Sequence, residues 1–111
     1  ACLVGSEMCI RDRIPSERVY EDDKMIVIRD VAPAAPVHVL MIPKAHTENI
    51  ITAEPELLLY MFGKVKELAE KLGVNEKGFR IVANTGDDGG QTVKHLHIHL
   101  LGGKALGWPP C

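Results

Sequence analysis

His95-Leu96-His97-Ile98-His99-Leu100-Leu101 is the most strongly patterned stretch of this chain. Imidazole and apolar side chains alternate through it, which is typical of a β-strand with one face in a core. Alternate side chains of a strand share a face at intervals of about 6.8 Å, so the three imidazoles should line one side. Crowded neutral imidazoles need partners for their ring nitrogens and build a poor core. The stretch therefore predicts a chemical site on one face of a sheet.

The residue types of this row allow two kinds of chemistry. An imidazole with a pKa of about 6.5 can act at neutral pH as a nucleophile, a proton donor or an acceptor. A central histidine held in one tautomer could attack phosphorus while its neighbours position the phosphate and the leaving group. Alternatively, a His-x-His pair could bind zinc together with His38 or a carboxylate. No His-Glu-x-x-His element and no cysteine ligand pair accompanies the row.

A glycine-rich loop from Asn84 to Thr92 comes just before the row. It can be interpreted as an ordinary hairpin turn, because Asp-Gly is a common turn dipeptide. It can also be interpreted as an anion cradle, because backbone N–H groups without side chains approach phosphate oxygens closely. Among the other histidines, His38 is expected to be a buried structural residue of a strand, and His46 could be exposed.

The rest of the chain predicts an α+β fold, an antiparallel sheet with a long helix over one face. Apolar residues at helical spacing indicate the helix at residues 55–72, with Pro55 in its first turn and Gly73 at its end. Apolar runs bounded by turn residues predict five strands. They lie at residues 19–20, 25–30, 37–42, 79–83 and 93–101.

Composition narrows the class of protein. The chain has 111 residues, enough for one small domain that a partner subunit would help to stabilise. A net charge of -2 with scattered cations argues against binding to nucleic acid polymers. The cysteines at 2, 9 and 111 suit neither a disulfide framework nor a thiolate zinc site. No apolar run approaches the roughly 20 residues of a membrane helix, and no secretory signal is evident. We expect a cytoplasmic protein.

The motifs together resemble the histidine-triad family, whose signature His-φ-His-φ-His-φ-φ, with φ apolar, is matched by residues 95–101. The resemblance runs from about Ile14 to Pro110 and is greatest to the purine nucleoside phosphoramidase-like branch. The further motifs that carry it are Ile14-Pro15-Ser16, Tyr20-Glu21-Asp22-Asp23, Ala35-Pro36-Val37-His38, Ile42-Pro43-Lys44 with His46, Asp88-Gly89-Gly90-Gln91, Leu101-Gly102-Gly103 and Trp108-Pro109-Pro110.

The resemblance implies a homodimer whose five-stranded sheets join across the two-fold axis, each protomer with one long helix and a short one. It implies binding of purine nucleoside monophosphates and hydrolysis of their phosphoramidates, without a metal or cofactor. His97 would be the nucleophile, His99 would contact the phosphate and leaving group, and His95 and His38 would orient the row. Thr92 stands where the family often has serine, whose hydroxyl bonds the leaving atom. The implied nucleotide contacts are Asp30 to the ribose, Ile28 and Val31 to the base, Asn84, Gly90 and Gln91 on the phosphate side, and Trp108 toward the neighbouring protomer.

The N-terminus departs from the family. A Cys-x-x-Cys opening with a short basic stretch is usual there, and it is absent here. Residues 3–12 resemble a translated sequencing adaptor fused to a truncated gene, so we expect residues 1–13 to be a leader and residues 14–111 to be the domain.

Three other functions are compatible with the residues. A dinucleoside polyphosphate hydrolase uses a similar triad, although a proline and a basic side chain usually follow it in that group. A nucleotide-binding regulatory module would use the dimer surface. A metal hydrolase would lose its activity to chelators.

Overall fold

Seven helices and strands follow one another along residues 18–110, which are the residues that the computed structural model describes. The predicted leader, the expected domain start at Ile14 and all three cysteines lie outside this range. The elements are β1 (Arg18–Glu21), β2 (Met25–Arg29), β3 (Val37–Pro43), α1 (Pro55–Gly63), α2 (Val65–Leu72), β4 (Phe79–Val82) and β5 (Ile98–Gly102).

The strands form one sheet in the order β1-β2-β3-β5-β4, and every neighbouring pair is antiparallel. The α+β fold and the five-stranded sheet are therefore as predicted. β3 is the central strand and pairs with β2 on one side and β5 on the other. This position matters for function because β3 and β5 carry two of the histidines side by side.

Alternation along the strands divides the apolar side chains between two faces. One face packs against the helices, where Met61 and Leu68 are buried against Met41 and Leu100. The opposite face carries Ile26, Ile28 and Ile42, which form a separate buried cluster with Leu40 and Val93. Since Leu40 and Ile42 alternate with Met41 along β3, the strand period of two explains the division.

The predicted helix keeps its outer bounds but is interrupted at Lys64. α1 ends at Gly63, whose poor helix propensity favours a break. The Lys64 ammonium also lies 5.6 Å and 5.4 Å from the ring centres of Tyr20 and Tyr60. α2 ends as predicted at Gly73, which has φ 77°, with the Val74 N–H donating to the Ala69 carbonyl. The expected separate short helix is not among residues 18–110.

The turn between β1 and β2 ties α1 to the sheet through Asp22. This carboxylate accepts hydrogen bonds from the hydroxyls of Tyr20 and Tyr60 and from the N–H groups of Lys24 and Met25. Burial raises the pKa of Asp22, but the hydrogen bonds outweigh it and hold that pKa well below its usual range. The turn is thus fixed by an ionised carboxylate at neutral pH.

The fifth strand is shorter than predicted. It begins at Ile98 rather than Val93, so His95 and His97 precede it. The ladder between β3 and β5 starts at the pair Met41 and Ile98, close to Pro43, which has no N–H to donate. The Leu96 N–H instead donates to the Thr47 carbonyl over 2.7 Å. The three histidines therefore do not form one regular row on a strand.

Within residues 18–110 neither helix has the length or apolar character to cross a membrane.

Candidate active site

Two histidines from the central strands meet on the face away from the helices. His38 in β3 pairs with Leu101, and His99 in β5 pairs with Leu40, so the two rings lie diagonally across the ladder. His38 Nε2 and His99 Nδ1 are 2.9 Å apart. His38 is only 8% exposed, as expected of a buried histidine, but its contact makes it part of the site.

The hydrogen bonds around this pair determine which nitrogen carries each proton. The backbone N–H of Ala34 donates to His38 Nδ1 over 3.0 Å, so that nitrogen has a lone pair. Neutral His38 must then carry its proton on Nε2 and donate it to His99 Nδ1. His99 in turn carries its proton on Nε2, the nitrogen on the other side of the ring. His99 therefore has an N–H to offer to a bound group.

His97 has the opposite tautomer. Its Nδ1 lies 2.8 Å from the backbone carbonyl oxygen of His95, and a carbonyl can only accept, so Nδ1 carries the proton. The lone pair is consequently on Nε2. The ring centre of His97 is 5.1 Å from that of His99, in an edge-on arrangement. An imidazole with a free Nε2 lone pair beside an Nε2–H donor is suited to attack an electrophile that the donor binds.

His95 does not line the site as the alternation predicts. Its side chain is fully buried, its Nε2 is 3.0 Å from the Pro43 carbonyl and its Nδ1 is 3.1 Å from His46 Nδ1. Its backbone carbonyl, rather than its ring, orients His97. His46 is exposed, and its contact with His95 could not be predicted from the sequence. Nothing in Pro43-Lys44-Ala45-His46 indicates which distant ring it meets.

The electrostatic surroundings keep His99 neutral. Burial lowers its pKa most, the nearby rings of His97 and His38 lower it further, and Asp30 raises it. The net result is a pKa of about 4. At neutral pH His99 therefore acts as an uncharged hydrogen-bond donor.

Of the residues predicted to hold a nucleoside, Asp30 lies next to His38. One carboxylate oxygen of Asp30 is 3.5 Å from His38 Nε2, and the other accepts the Ala32 N–H over 2.8 Å. Ile28 is buried in the cluster on the histidine face, whereas Val31 is 62% exposed. Asp30 thus adjoins the histidines, while the two expected walls of a base pocket differ in exposure.

The glycine-rich loop is held by its own side chains. The Gln91 amide accepts the Gly86 N–H and donates to the carbonyls of Glu48 and Val93. Asn84 donates to the Gly89 carbonyl over 2.6 Å. Gln91 therefore shapes the loop, since both ends of its amide have partners within the protein.

Three glycines are required by the geometry of this loop. A Cβ on Gly89 would lie 2.4 Å from the Thr85 carbonyl oxygen, and Gly86 and Gly90 have φ 72° and 75°. Thr92, the predicted hydroxyl donor, is exposed. Trp108 is 82% exposed, on a tail that Arg80 of β4 contacts through the Gly107 carbonyl.

Among residues 18–110, one group offers ligand atoms for a metal. Asp30, His38 and His99 place one such atom each within 4.8 Å of the others. Ligand nitrogens of a tetrahedral zinc ion with bonds of 2.0–2.1 Å lie about 3.3 Å apart. The 2.9 Å between His38 and His99 is a hydrogen-bond distance, so the two rings would have to separate to hold zinc. The arrangement fits a hydrogen-bonded pair better than a metal site.

Comparison with known proteins finds close similarity over most of the chain. The HIT domain family matches residues 11–106. An uncharacterised HIT-like protein of Synechococcus elongatus is 55% identical over 104 residues, 91% of this chain and 90% of that protein. The crystal structure of a HIT family hydrolase from Legionella pneumophila is 40% identical, with a TM-score of 0.86 over 94% of this chain and 96% of that one. A histidine triad nucleotide-binding protein from Candida albicans is 31% identical, with a TM-score of 0.77 over 92% and 80% of the two chains.

Proposed function

Because the chain belongs to the HIT domain family, whose solved members include hydrolases of the same fold, we propose that it hydrolyses purine nucleoside phosphoramidates. His97 is the nucleophile and forms a nucleotidyl-histidine intermediate. The observation that carries this proposal is the hydrogen bond from His97 Nδ1 to the His95 carbonyl, which leaves the Nε2 lone pair free.

The reaction has two displacements at phosphorus. In the first, His97 Nε2 forms a bond to phosphorus, and the P–N bond breaks as the leaving nitrogen takes up a proton from solvent, so that the amine departs neutral. In the second, a water oxygen displaces His97 and releases the nucleoside monophosphate. Over both steps one water is consumed, and its proton ends on the amine. Splitting the hydrolysis in this way replaces one difficult step with two easier ones.

His99 and the glycine-rich loop stabilise the charge that develops. The Nε2–H of His99 donates to the leaving nitrogen or to a phosphate oxygen, and His38 positions His99 through their 2.9 Å hydrogen bond. Asn84, Gly90 and Gln91 form the phosphate side, where Gln91 acts by holding the loop. Thr92 supplies a hydroxyl to the leaving atom.

The nucleoside lies beside Asp30. Its carboxylate binds the ribose hydroxyls, and Ile28 and Val31 contact the purine. His95 supports the site through its carbonyl. No cofactor takes part in this chemistry.

The working form is a homodimer in the cytoplasm. β4 is an edge strand of the described sheet, so its outer backbone groups can pair with β4 of a second copy and continue the sheet. Phe79 is partly exposed at the start of this strand. The tail with Trp108 then reaches toward the neighbouring site.

Competing substrates test this proposal directly. Full-length protein treated with a chelator should release adenosine monophosphate from an adenosine phosphoramidate faster than from a diadenosine polyphosphate. Faster turnover of the polyphosphate would assign the chain to that hydrolase group instead. Activity lost to the chelator and restored by zinc would support the metal hydrolase, and nucleotide binding without any turnover would support a regulatory module. Lys66→Ala changes an exposed residue of α2, away from the histidines, and serves as a control variant that should keep wild-type activity.

A further inference from the structure

A backbone group outside the histidine row sets the protonation pattern of the site. We propose that the N–H of Ala34 is a positioning group that fixes the tautomer of His38 and, through it, the tautomer of His99. Neither the family signature nor the side chain of Ala34 suggests this role. The effect on catalysis rests on the function proposed above, whereas the tautomers themselves do not.

The first link is the contact between Ala34 and His38. An amide N–H can only donate, so the 3.0 Å contact requires a lone pair on His38 Nδ1. A doubly protonated ring could not accept this bond. Neutral His38 therefore has its proton on Nε2, the nitrogen that faces His99.

The second link is the contact between the two rings. The proton on His38 Nε2 points at His99 Nδ1 over 2.9 Å, so His99 Nδ1 must be the acceptor. The remaining proton of His99 is then on Nε2. The Ala34 N–H at His38 Nδ1, together with the Asp30 carboxylate 3.5 Å from Nε2, thereby determines, two rings away, that the site presents a donor.

The segment that carries Ala34 is held against β3 at its Asp30 end. The Asp30 N–H donates to the His38 carbonyl over 2.9 Å, and the Asp30 carboxylate accepts the Ala32 N–H over 2.8 Å. Pro33 and Pro36 restrict the backbone on either side of Ala34. The N–H is thus held in place by the shape of residues 30–36.

The other tautomer of His38 would exchange the donor and acceptor nitrogens of both rings. A proton on His38 Nδ1 would face the Ala34 N–H, and two donors would oppose each other. The His38 Nε2 lone pair would then require a proton on His99 Nδ1. His99 Nε2 would present a lone pair to an anionic phosphate, which would repel it instead of binding it. The Ala34 N–H removes this alternative.

The decisive experiment is nitrogen-15 NMR of the imidazole side chains in the wild-type protein at pH 7.5. We expect protonated Nε2 and unprotonated Nδ1 in His38 and His99, and the reverse in His97. A protonated Nδ1 in His38 would overturn the proposal. This measurement needs no substrate and no variant.

A pair of variants connects the tautomer to catalysis. Ala34→Pro removes the N–H, and Ala34→Gly keeps it as the control. We expect the proline variant to show mixed tautomers at His38 and a kcat lower by about tenfold or more, with a smaller change in KM. The glycine variant should keep the wild-type tautomers and kcat. A folded proline variant with the wild-type tautomer, or with unchanged kcat, would contradict the proposal.

The outcomes separate this inference from the proposed function. The expected tautomers in the wild type and their loss in a folded proline variant, without turnover of any nucleoside phosphoramidate, would support the role of Ala34 and refute the hydrolase. Turnover through His97 with the opposite tautomers would support the hydrolase and refute the role of Ala34. If the proline variant misfolds, the wild-type spectrum still tests the proposal, because a protonated Nδ1 in His38 would overturn it.

Discussion

At the scale of single residues, His97 and His99 differ in which nitrogen bears the proton. The His95 carbonyl fixes His97 as the Nδ1–H tautomer, and the contact with His38 fixes His99 as the Nε2–H tautomer. The rings are close, with centres 5.1 Å apart, yet one offers a lone pair and the other a donor. The site therefore divides a free lone pair and a donor between neighbouring rings without needing a charged histidine.

Replacing His97 tests the nucleophile. His97→Ala should abolish turnover of an adenosine phosphoramidate while nucleotide affinity and circular dichroism stay close to wild type, because the ring is only partly buried. Lys66→Ala, measured in parallel, controls for handling of the protein. Unchanged turnover in His97→Ala would refute the assignment.

The low pKa of His99 predicts acid sensitivity of the fold. With its pKa lowered to about 4 in the folded protein, mainly by burial, His99 takes up a proton first in the unfolded chain as the pH falls below about 6.5. Unfolding is then favoured, so the free energy of unfolding should decrease between pH 6.5 and pH 4.

The matched variant isolates this effect. His99→Asn lacks the titrating group, so the stability of the wild type relative to it should decline across the same pH range in urea titrations. A difference between the two proteins that stays constant with pH would show that His99 does not titrate in this way.

At the scale of elements, the glycine-rich loop and the segment before β5 depend on contacts that are distant in sequence. Gln91 links the loop to the Glu48 carbonyl, and Leu96 bonds to the Thr47 carbonyl. The connection after β3 therefore supports both the loop and the approach to the histidines. A change in the loop backbone should therefore shift the histidines of the candidate site.

Gly89 provides a test of this coupling. In Gly89→Ala the new Cβ would lie 2.4 Å from the Thr85 carbonyl oxygen, so the loop backbone must shift. We expect turnover to fall about tenfold or more and the free energy of unfolding to decrease by about 1–3 kcal/mol.

Gly63→Ala is the matched control for Gly89→Ala. Nothing lies within 4 Å of its Cβ position, and it is the last residue of α1. Its activity should be unchanged, and its stability should rise by about 0.5–1 kcal/mol because alanine favours helix. Equal behaviour of the two variants would contradict the role given to Gly89.

Local sequence patterns predict helices and strands well where the hydrogen bonds that define them join residues close in sequence or follow a regular ladder. The hairpin of β1 and β2, the start of the helical segment at Pro55 and its end at Gly73 follow from turn and helix signals. The start of β5 could not be predicted, because the segment before it bonds outside the sheet, through the Leu96 N–H, to the Thr47 carbonyl of a distant connection. The contacts of His46 with His95 and of Ala34 with His38 likewise join residues through the fold and leave no pattern in the sequence.

At the scale of the whole molecule, the sheet ends at β4 with backbone groups available for pairing. Such edges are normally covered, shortened or used for association. β4 is short, with four residues, and Phe79 is 37% exposed at its start. The proposed homodimer would extend the sheet here and bring the Trp108 tail to the second site.

A charge on this edge should separate the dimer. Phe79→Asp places a carboxylate on the edge strand of the proposed dimer, so sedimentation should show a shift from twice the chain mass toward the single chain. Ile51→Asp, at a loop position that is 79% exposed, should leave the mass unchanged. A monomeric wild type, or a Phe79→Asp protein that remains fully dimeric, would refute the edge-strand dimer.

The most direct test of the central claim is mass spectrometry of the protein quenched in acid-free conditions during turnover of an adenosine phosphoramidate, after chelator treatment. We expect an added adenylyl mass on the peptide that contains His97, with no such mass in His97→Ala. Steady turnover with the adduct on another residue, or with none during single turnovers sampled faster than kcat, would contradict covalent catalysis by His97.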